Sequence, residues 1–162
     1  MKKTKILLIE DNRMLRDSIK AIINKQEDLK VVAATGGNHD SLLQARSLKP
    51  QVVLMDLGLR NANGLRVVAT LTKELPQTKV IGMGLIPSQL DIIAFVQAGA
   101  AGFILKDASI EDVLGTIRAV ARGMKILPPP DDGIPFHSGH RPCTAEGERE
   151  TARCSADDET RT

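Results

Sequence analysis

The stretch ILLIED at residues 6–11 places two carboxylates directly after four aliphatic side chains. VVLMD at residues 52–56 repeats the arrangement with one acid, and FILK at residues 103–106 ends on a lysine. Buried strands of parallel sheets read as such continuous aliphatic runs, and parallel strands bring their carboxyl ends to one edge. The charged residues after the three runs are therefore predicted to converge at that edge. They are Glu10, Asp11, Asp56 and Lys106.

The composition favours a cytoplasmic α/β protein with an aliphatic interior. Of 162 residues, 42% are hydrophobic, 26% charged and only 2% aromatic, which fits a sheet covered on both faces. No apolar stretch approaches the ~20 residues of a membrane span, and the first apolar run is too short for a secretory signal. We therefore expect a cytoplasmic location and no membrane contact. Cys143 and Cys154 lie outside the candidate core, so disulfides do not define the fold.

Five predicted strands alternate with five predicted helices. Each crossover is long enough to hold a helix, which favours one doubly wound parallel sheet. Ligands of such sheets bind beyond the carboxyl ends of the strands, where the strand order reverses. The predicted strands are residues 5–10, 31–34, 52–56, 79–83 and 102–105. The predicted helices are a first one capped by residues 11–12 and running to about 25, followed by residues 40–48, 65–75, 88–97 and 109–122.

Residues 128–162 have the composition of a disordered tail. They begin with PPPDDG at residues 128–133, are net acidic, and contain only Ile134 and Phe136 as large apolar side chains. So little apolar surface cannot offset an ordering entropy of roughly 1–2 kcal/mol per residue. We therefore expect one domain at residues 1–127, followed by a proline-rich, acidic and disordered segment.

The predicted site combines several acids with one ammonium, which suits a divalent cation beside a phosphoryl group. A carboxylate attacks phosphorus poorly unless it is held in line and the charge on the transferring oxygens is neutralised. Mg²⁺ fits because it prefers hard oxygen ligands in an octahedron. Asp11 and Asp56 would bind the ion directly, and Glu10 directly or through water. The Gly58 carbonyl would complete the set of protein ligands, and Lys106 would pair with the phosphoryl oxygens.

Five short motifs lie in order at the predicted strand ends. They are IEDN at residues 9–12, LMDL at 54–57, NGL at 63–65, AGAAGF at 98–103 and LKD at 105–107. Together they resemble the receiver domain of two-component response regulators, most closely that of LuxR-type transcription regulators, over about residues 4–127. The resemblance implies a flavodoxin-like sheet of strand order 2-1-3-4-5. This order is a property of that fold, and the residues alone leave it open.

The resemblance also implies a role in phosphorelay signal transduction. By this likeness, Asp56 is the phosphoacceptor, and a histidine kinase or a small phosphodonor supplies the group with Mg²⁺ as cofactor. The domain would catalyse only its own phosphorylation and dephosphorylation, and its output would pass through protein contacts. Phe103 falls where the family has its switch aromatic. Receivers commonly dimerise through the last two helices and strand, here the segment that begins at Ser88 and ends at Arg122.

Three positions depart from the family pattern. Gly84 stands where the family usually has a Thr or Ser hydroxyl that binds a phosphoryl oxygen. Arg60 replaces a common proline, and Leu85 replaces the usual small residue after the hydroxyl position. These departures predict that phosphorylation at Asp56 persists but couples weakly to Phe103.

Alternative interpretations remain open from the sequence. The chain could be a degenerate receiver that acts as an interaction module without phosphorylation, or a truncated DNA-binding regulator. DNA binding is not expected, because residues 128–162 lack the length and aliphatic residues for three packed helices, although residues 144–150 resemble the start of such a domain. Asp11 alone would fit a helix N-cap, and Phe103 alone would fit the core. A flavin carrier is disfavoured because a phosphate loop and stacking aromatics are lacking. His137, His140 and Cys143 match no standard zinc spacing.

Overall fold

The computed structural model describes residues 2–37, 40–58, 64–84 and 89–127. Strands and helices alternate through these ranges in the predicted order. The strands are β1 (Thr4–Ile9), β2 (Leu29–Thr35), β3 (Val52–Asp56), β4 (Lys79–Gly84) and β5 (Gly102–Leu105). The helices are α1 (Arg13–Asn24), α2 (Asp40–Leu48), α3 (Gly64–Glu74), α4 (Gln89–Gln97) and α5 (Ile110–Ala121). β2 begins earlier than predicted because Leu29 and Lys30 pair with the start of β1.

The strands form one parallel sheet in the order β2-β1-β3-β4-β5, which confirms the flavodoxin-like doubly wound prediction. Ile9 pairs with Met55, so the residues that follow them, Glu10 and Asp56, stand at the same level of adjacent strands. Gly84 pairs with Leu105 at the same edge, directly before Lys106. The register therefore places the three charged positions at the carboxyl edge of the sheet.

Helices cover both faces of the sheet, because alternate side chains of each strand point to opposite sides. Ile6 and Leu8 face the layer formed by α1 and α5, whereas Leu7 and Ile9 face the layer formed by α2, α3 and α4. All four of these β1 side chains are buried. A strand buried on both faces cannot slip in register without exposing one set, which fixes the height of Glu10.

Local capping chemistry defines several helix ends. The Asn12 side chain accepts a hydrogen bond from the Leu15 amide at 3.1 Å, so Asn12 and not Asp11 is the N-cap of α1. Ser109 caps α5 in the same way through the Asp112 amide. Gly99 follows α4 with φ 105°, in the left-handed region that glycine tolerates best, and so ends this helix.

Some predictions concern residues outside the described ranges. These are the tail at residues 128–162, including its histidines and cysteines, and the positions Arg60, Leu85 and Ser88. Within the described ranges, each helix is too short or too polar to cross a membrane.

Candidate functional site

Three of the predicted site residues meet at the carboxyl edge of the sheet. The Lys106 ammonium lies 3.2 Å from Glu10 Oε2 and 3.0 Å from Asp56 Oδ1, and thus bridges β1 and β3 from the end of β5. The Glu10 and Asp56 side chains are 1% and 8% exposed, and that of Lys106 is 18% exposed. Buried carboxylates need such compensation, because an unpaired charge in the interior is very costly.

Backbone hydrogen bonds extend the sheet by one residue and hold these side chains in place. The Glu10 amide donates to the Thr35 carbonyl at 2.9 Å, and the Lys106 amide donates to the Gly84 carbonyl at 2.8 Å. The Leu57 amide donates to the Met83 carbonyl at 2.9 Å, directly after Asp56. Strand pairing therefore determines the backbone positions of the site.

The two oxygens of Glu10 have different surroundings. Oε1 accepts a hydrogen bond from the Asn12 amide at 2.9 Å. Oε2 is buried and lies 3.2 Å from the Lys106 ammonium, close enough for ion pairing, but it accepts no hydrogen bond of good geometry. This oxygen consequently keeps a lone pair available for a cation.

Asp56 is held through one of its oxygens. Oδ1 accepts hydrogen bonds from the Gly58 amide and from Lys106, each at 3.0 Å. A Cβ added at Gly58 would lie 3.5 Å from Oδ1 and 3.6 Å from Oδ2, so glycine here leaves the approach to the carboxylate open.

Asp11 occupies a different environment from the three bridged residues. Its Oδ1 accepts a hydrogen bond from the Gly37 amide at 2.9 Å, in the segment that follows β2. In the described part of the chain, no three acidic, histidine or cysteine side chains are grouped so that they could hold a metal ion. The structure brings Glu10, Asp56 and Lys106 together, and Asp11 accepts a hydrogen bond from the Gly37 amide.

Electrostatics at the site favour a fully charged Lys106. Burial by itself would lower the pKa of the Lys106 ammonium, but the neighbouring carboxylate of Asp56, and then that of Glu10, outweigh burial and raise the pKa above its ordinary value. Lys106 therefore stays cationic at neutral pH and compensates two buried carboxylates.

The donor set fits a small divalent cation. Every candidate protein ligand is a hard oxygen: the Glu10, Asp11 and Asp56 carboxylates and the Gly58 carbonyl. The Glu10 oxygen without a well-directed donor is where such a charge would be compensated best. The chemistry of these residues therefore suits Mg²⁺.

An aromatic pair covers the end of β4 beside the site. A Cβ at Gly84 would lie 3.0 Å from Phe103 Cζ, and one at Gly82 would lie 2.5 Å from Phe95 Cε1. The two rings meet edge to face, with centroids 6.3 Å apart at 87°. Phe103 thus occupies the space beside the position where the family has its hydroxyl side chain.

Sequence reasoning misses two contributors. The first is Gly82. It lies two residues before Gly84 in β4, so both glycines share one face of the strand, and glycine in a strand often indicates a close neighbour. Sequence reasoning also misses Arg16, the fourth residue of α1, whose Nη1 donates to the Glu10 carbonyl at 2.7 Å. No local pattern distinguishes Arg16 from the other basic residues of this helix.

Comparisons with known proteins identify the family to which the chain is similar. The family model of the response regulator receiver domain matches residues 6–118. The uncharacterized transcriptional regulatory protein YxjL of Bacillus subtilis is 32% identical over 125 residues, which are 77% of this chain and 57% of that protein. The chain spans less than two thirds of the length of the curated relatives it matches.

Solved structures show the same fold. A DNA-binding response regulator of the LuxR family from Staphylococcus aureus matches with a TM-score of 0.67 at 28% identity, over 73% of this chain and 98% of that one. A LuxR-family two-component response regulator from Aurantimonas sp. SI85-9A1 matches with a TM-score of 0.73 at 19% identity, over 77% of this chain and 89% of that one.

Proposed function

Because the chain belongs to the response regulator receiver domain family, we propose that it accepts a phosphoryl group on Asp56 from a histidine kinase or a small phosphodonor. Members of the family take part in phosphorelay signalling as phosphoacceptors and not as enzymes in the usual sense. The observation that carries the proposal is the Lys106 ammonium held 3.0 Å from Asp56 and 3.2 Å from Glu10. This grouping combines a nucleophile, a cation ligand and a partner for phosphoryl oxygens.

The hydrogen bonds of Asp56 suggest which oxygen reacts. Oδ1 is oriented by the Gly58 amide and by Lys106, so Oδ2 is the oxygen outside these two contacts. In the proposed step Oδ2 forms a bond to phosphorus while the bond from phosphorus to the donor's leaving group breaks, and the leaving group keeps the electron pair. Lys106 exchanges carboxylate contacts for the phosphoryl oxygens, whose added negative charge it compensates.

Mg²⁺, when bound by Glu10, Asp11, Asp56 and the Gly58 carbonyl, would neutralise the charge on the transferring oxygens. The chain's own contribution is to hold Glu10 and Asp56 at adjacent strand ends, each within ion-pair distance of Lys106. Hydrolysis of the acyl phosphate at the same site would return the domain to its starting state, and this self-directed chemistry is the only catalysis proposed.

Labelling with acetyl phosphate and Mg²⁺ tests phosphoacceptance. Intact-mass measurement should show one added phosphoryl group on the wild type and none on Asp56→Asn. Asp107→Asn is a matched control, because it removes an exposed carboxylate next to Lys106 that forms none of the site's ion pairs. A wild type that stays unlabelled, or an Asp56→Asn variant that labels like the wild type, would refute the proposal and favour the phosphorylation-independent interaction module.

We further propose that phosphorylation is weakly coupled to Phe103. Gly84 has no hydroxyl that could bind a phosphoryl oxygen. Phe103 is already buried, with only 5% of its surface exposed and its ring packed on Gly84. Gly84→Thr would restore a hydroxyl, but its Cβ would require the ring to move. NMR spectra of the wild type on phosphorylation should show shifted amides near Asp56 and Lys106 with unmoved Phe103 ring resonances. Large shifts of that ring would contradict weak coupling.

Output is proposed to pass through protein contacts, including a homodimer through residues 88–122. Two large apolar side chains of α4 are solvent exposed, Leu90 at 77% and Ile93 at 46%. Leu90→Glu should weaken phosphorylation-dependent dimerisation in sedimentation velocity, whereas Leu43→Glu on α2, outside this segment, should not. Equal behaviour of the two variants would exclude this surface. DNA binding remains the alternative output, and a gel shift with the full chain distinguishes it.

A further inference from the structure

Cations gather at the end of the sheet that lies away from Asp56. Because all five strands are parallel, their first residues share one edge, which we call the amino edge. Lys30, Lys5 and Lys79 lie at the starts of β2, β1 and β4, and the helices between the strands also end on this side. We define the amino-edge surface by six cations, Lys5, Lys30, Lys49, Lys79, Arg122 and Lys125.

These cations are crowded and have few acidic neighbours. Lys5 pairs with Lys30 in the adjacent strand, and like charges in neighbouring strands repel each other. In the ranges that the structure describes, none of the six cations forms an ion pair. The acids at this end are Glu27, Asp28 and Glu74, of which the last two already bind arginines. The surface therefore carries an excess of positive charge that an anionic partner would compensate.

The chain itself contains a segment of opposite charge. Residues 128–162, here called the acidic segment, contain eight acids and four arginines, a net charge of −4 with neutral histidines. The segment begins beside the amino edge, because Ile126 bridges Gly102, the first residue of β5. Four residues of chain span at most about 14 Å, so Asp131 stays within that distance of Leu127. This reach corresponds to about three strand spacings along the edge.

We propose that the acidic segment binds the amino-edge surface of the same chain. Its carboxylates pair with the exposed ammonium groups, and the covalent connection raises the effective concentration of the segment at this surface. Each exposed ion pair shifts such an equilibrium by only about 1.5-fold to fivefold, so several pairs act together. Bound in this way, the segment neutralises the surface and shields it from other polyanions. The inference does not depend on phosphorylation of Asp56.

The native cysteines allow a direct test in the full chain. Cys143 and Cys154 are the two cysteines of the sequence, and both lie in the acidic segment. A nitroxide spin label is attached to Cys154 in the Cys143→Ser variant, and the paramagnetic broadening of amide NMR signals is measured. Lys30 lies near the start of β2 and Gly36 directly follows its end, so the two amides report on opposite edges of the strand farthest from Leu127.

The two reporters should respond differently at low ionic strength. The Lys30 amide should broaden at least about twofold more than the Gly36 amide, because the acidic segment lies at the amino edge. The difference should disappear in 1 M salt, where the Debye length is about 3 Å. Equal broadening of the two amides, or a difference that salt leaves unchanged, would overturn the proposal.

Charge reversal identifies the surface that holds the segment. Lys5→Glu should reduce the excess broadening at Lys30 by about 1.5-fold to fivefold, because it replaces a partner of the carboxylates by a like charge. Arg13→Glu is the matched control: it makes the same change in charge at the first residue of α1, where the Arg13 side chain is 86% exposed. It should leave the excess broadening within about 1.5-fold of the wild type. Equal reductions in both variants would refute binding at the amino edge.

Substitutions within the acidic segment leave residues 1–127 unchanged and keep the test valid should Lys5→Glu fold poorly. Neutralising the acidic run as Asp157→Asn, Asp158→Asn and Glu159→Gln should reduce the salt-sensitive broadening at the amino edge. Arg161→Gln removes a positive charge from the same region of the sequence and should increase it. Changes of the same sign in the two variants would contradict a contact based on charge complementarity.

Two other occupants of the surface are distinguished by the same labelled protein. Spin-labelled chains are mixed with isotopically labelled chains that carry no nitroxide, and these should show little broadening. Equal broadening in the mixture would place the segment on a second copy and overturn the proposal. A wild type that shows no preference for the amino edge but retards a DNA duplex in a gel would assign the surface to nucleic acid, which would also overturn it.

Discussion

Replacing Gly82 by alanine should destabilise the protein although the change adds only one methyl group. That Cβ would lie 2.5 Å from Phe95 Cε1 and 2.6 Å from Cζ, whereas carbon atoms rest comfortably about 3.5–4.0 Å apart. The Phe95 ring must therefore retreat by about 1 Å. It is 1% exposed and also contacts Phe103, so its movement disturbs the packed layer beneath α4.

Two opposing effects determine the size of this change. Overpacking of a core costs about 1–3 kcal/mol, and restricting the unfolded chain by Gly→Ala recovers about 0.4–1 kcal/mol. The net expectation for Gly82→Ala is a loss of about 1–2 kcal/mol of unfolding free energy. For Gly84→Ala, the contact is 3.0 Å from Phe103 Cζ, so the terms nearly cancel to within about 0.5 kcal/mol.

Gly115 supplies the matched control on α5. A Cβ there meets no atom within 4 Å, so Gly115→Ala should stabilise the protein by about 0.5–1 kcal/mol. Urea unfolding followed by far-ultraviolet circular dichroism measures all three variants, since the sequence contains no Trp or Tyr for fluorescence. From most to least stable, the expected order of the variants is Gly115→Ala, Gly84→Ala and Gly82→Ala. A Gly82→Ala variant as stable as the Gly115→Ala variant would refute the packing of Phe95 on β4.

Lys106→Met should lower stability at neutral pH by about 3 kcal/mol, because it leaves the Asp56 and Glu10 carboxylates buried without their cation. Since the folded protein raises the pKa of Lys106, this stabilisation is complete below the ordinary lysine pKa of about 10.4 and is lost as pH rises through the pKa of the folded state. The urea midpoints of wild type and variant should therefore converge at high pH. A difference in midpoint that does not depend on pH would contradict this prediction. Arg118→Ala should cost about 0.2–1 kcal/mol, because Arg118 forms a two-pronged but half-exposed pair with Asp28. The hydrogen bond from Arg118 lowers the pKa of Asp28, so the stabilisation from this pair should decrease as pH falls below the ordinary pKa of aspartate. A double-mutant cycle with Asp28→Asn that shows no coupling energy at neutral pH would disprove the pairing.

The local pattern of aliphatic and charged residues predicts much of the fold and the positions of several site residues. The aliphatic runs before Glu10, Asp56 and Lys106 predict buried strands, and parallel topology then requires their ends to meet. The departure at Gly84 is also visible in the sequence, because a missing hydroxyl is a property of a single position. The sequence does not show what lies beside this position, whereas the structure places the Phe103 ring against Gly84.

The sequence by itself determined how strands and helices alternate along the chain and the edge at which the charges gather, because hydrophobic periodicity and chain direction are local properties. Only the tertiary structure decided which charges touch. Lys106 bridges Glu10 and Asp56, and Asp11 binds the Gly37 amide, because these contacts depend on side-chain orientation and on the height of neighbouring strands. Contacts between residues that lie far apart in sequence leave no periodic signal, so they become visible only when the chain is folded.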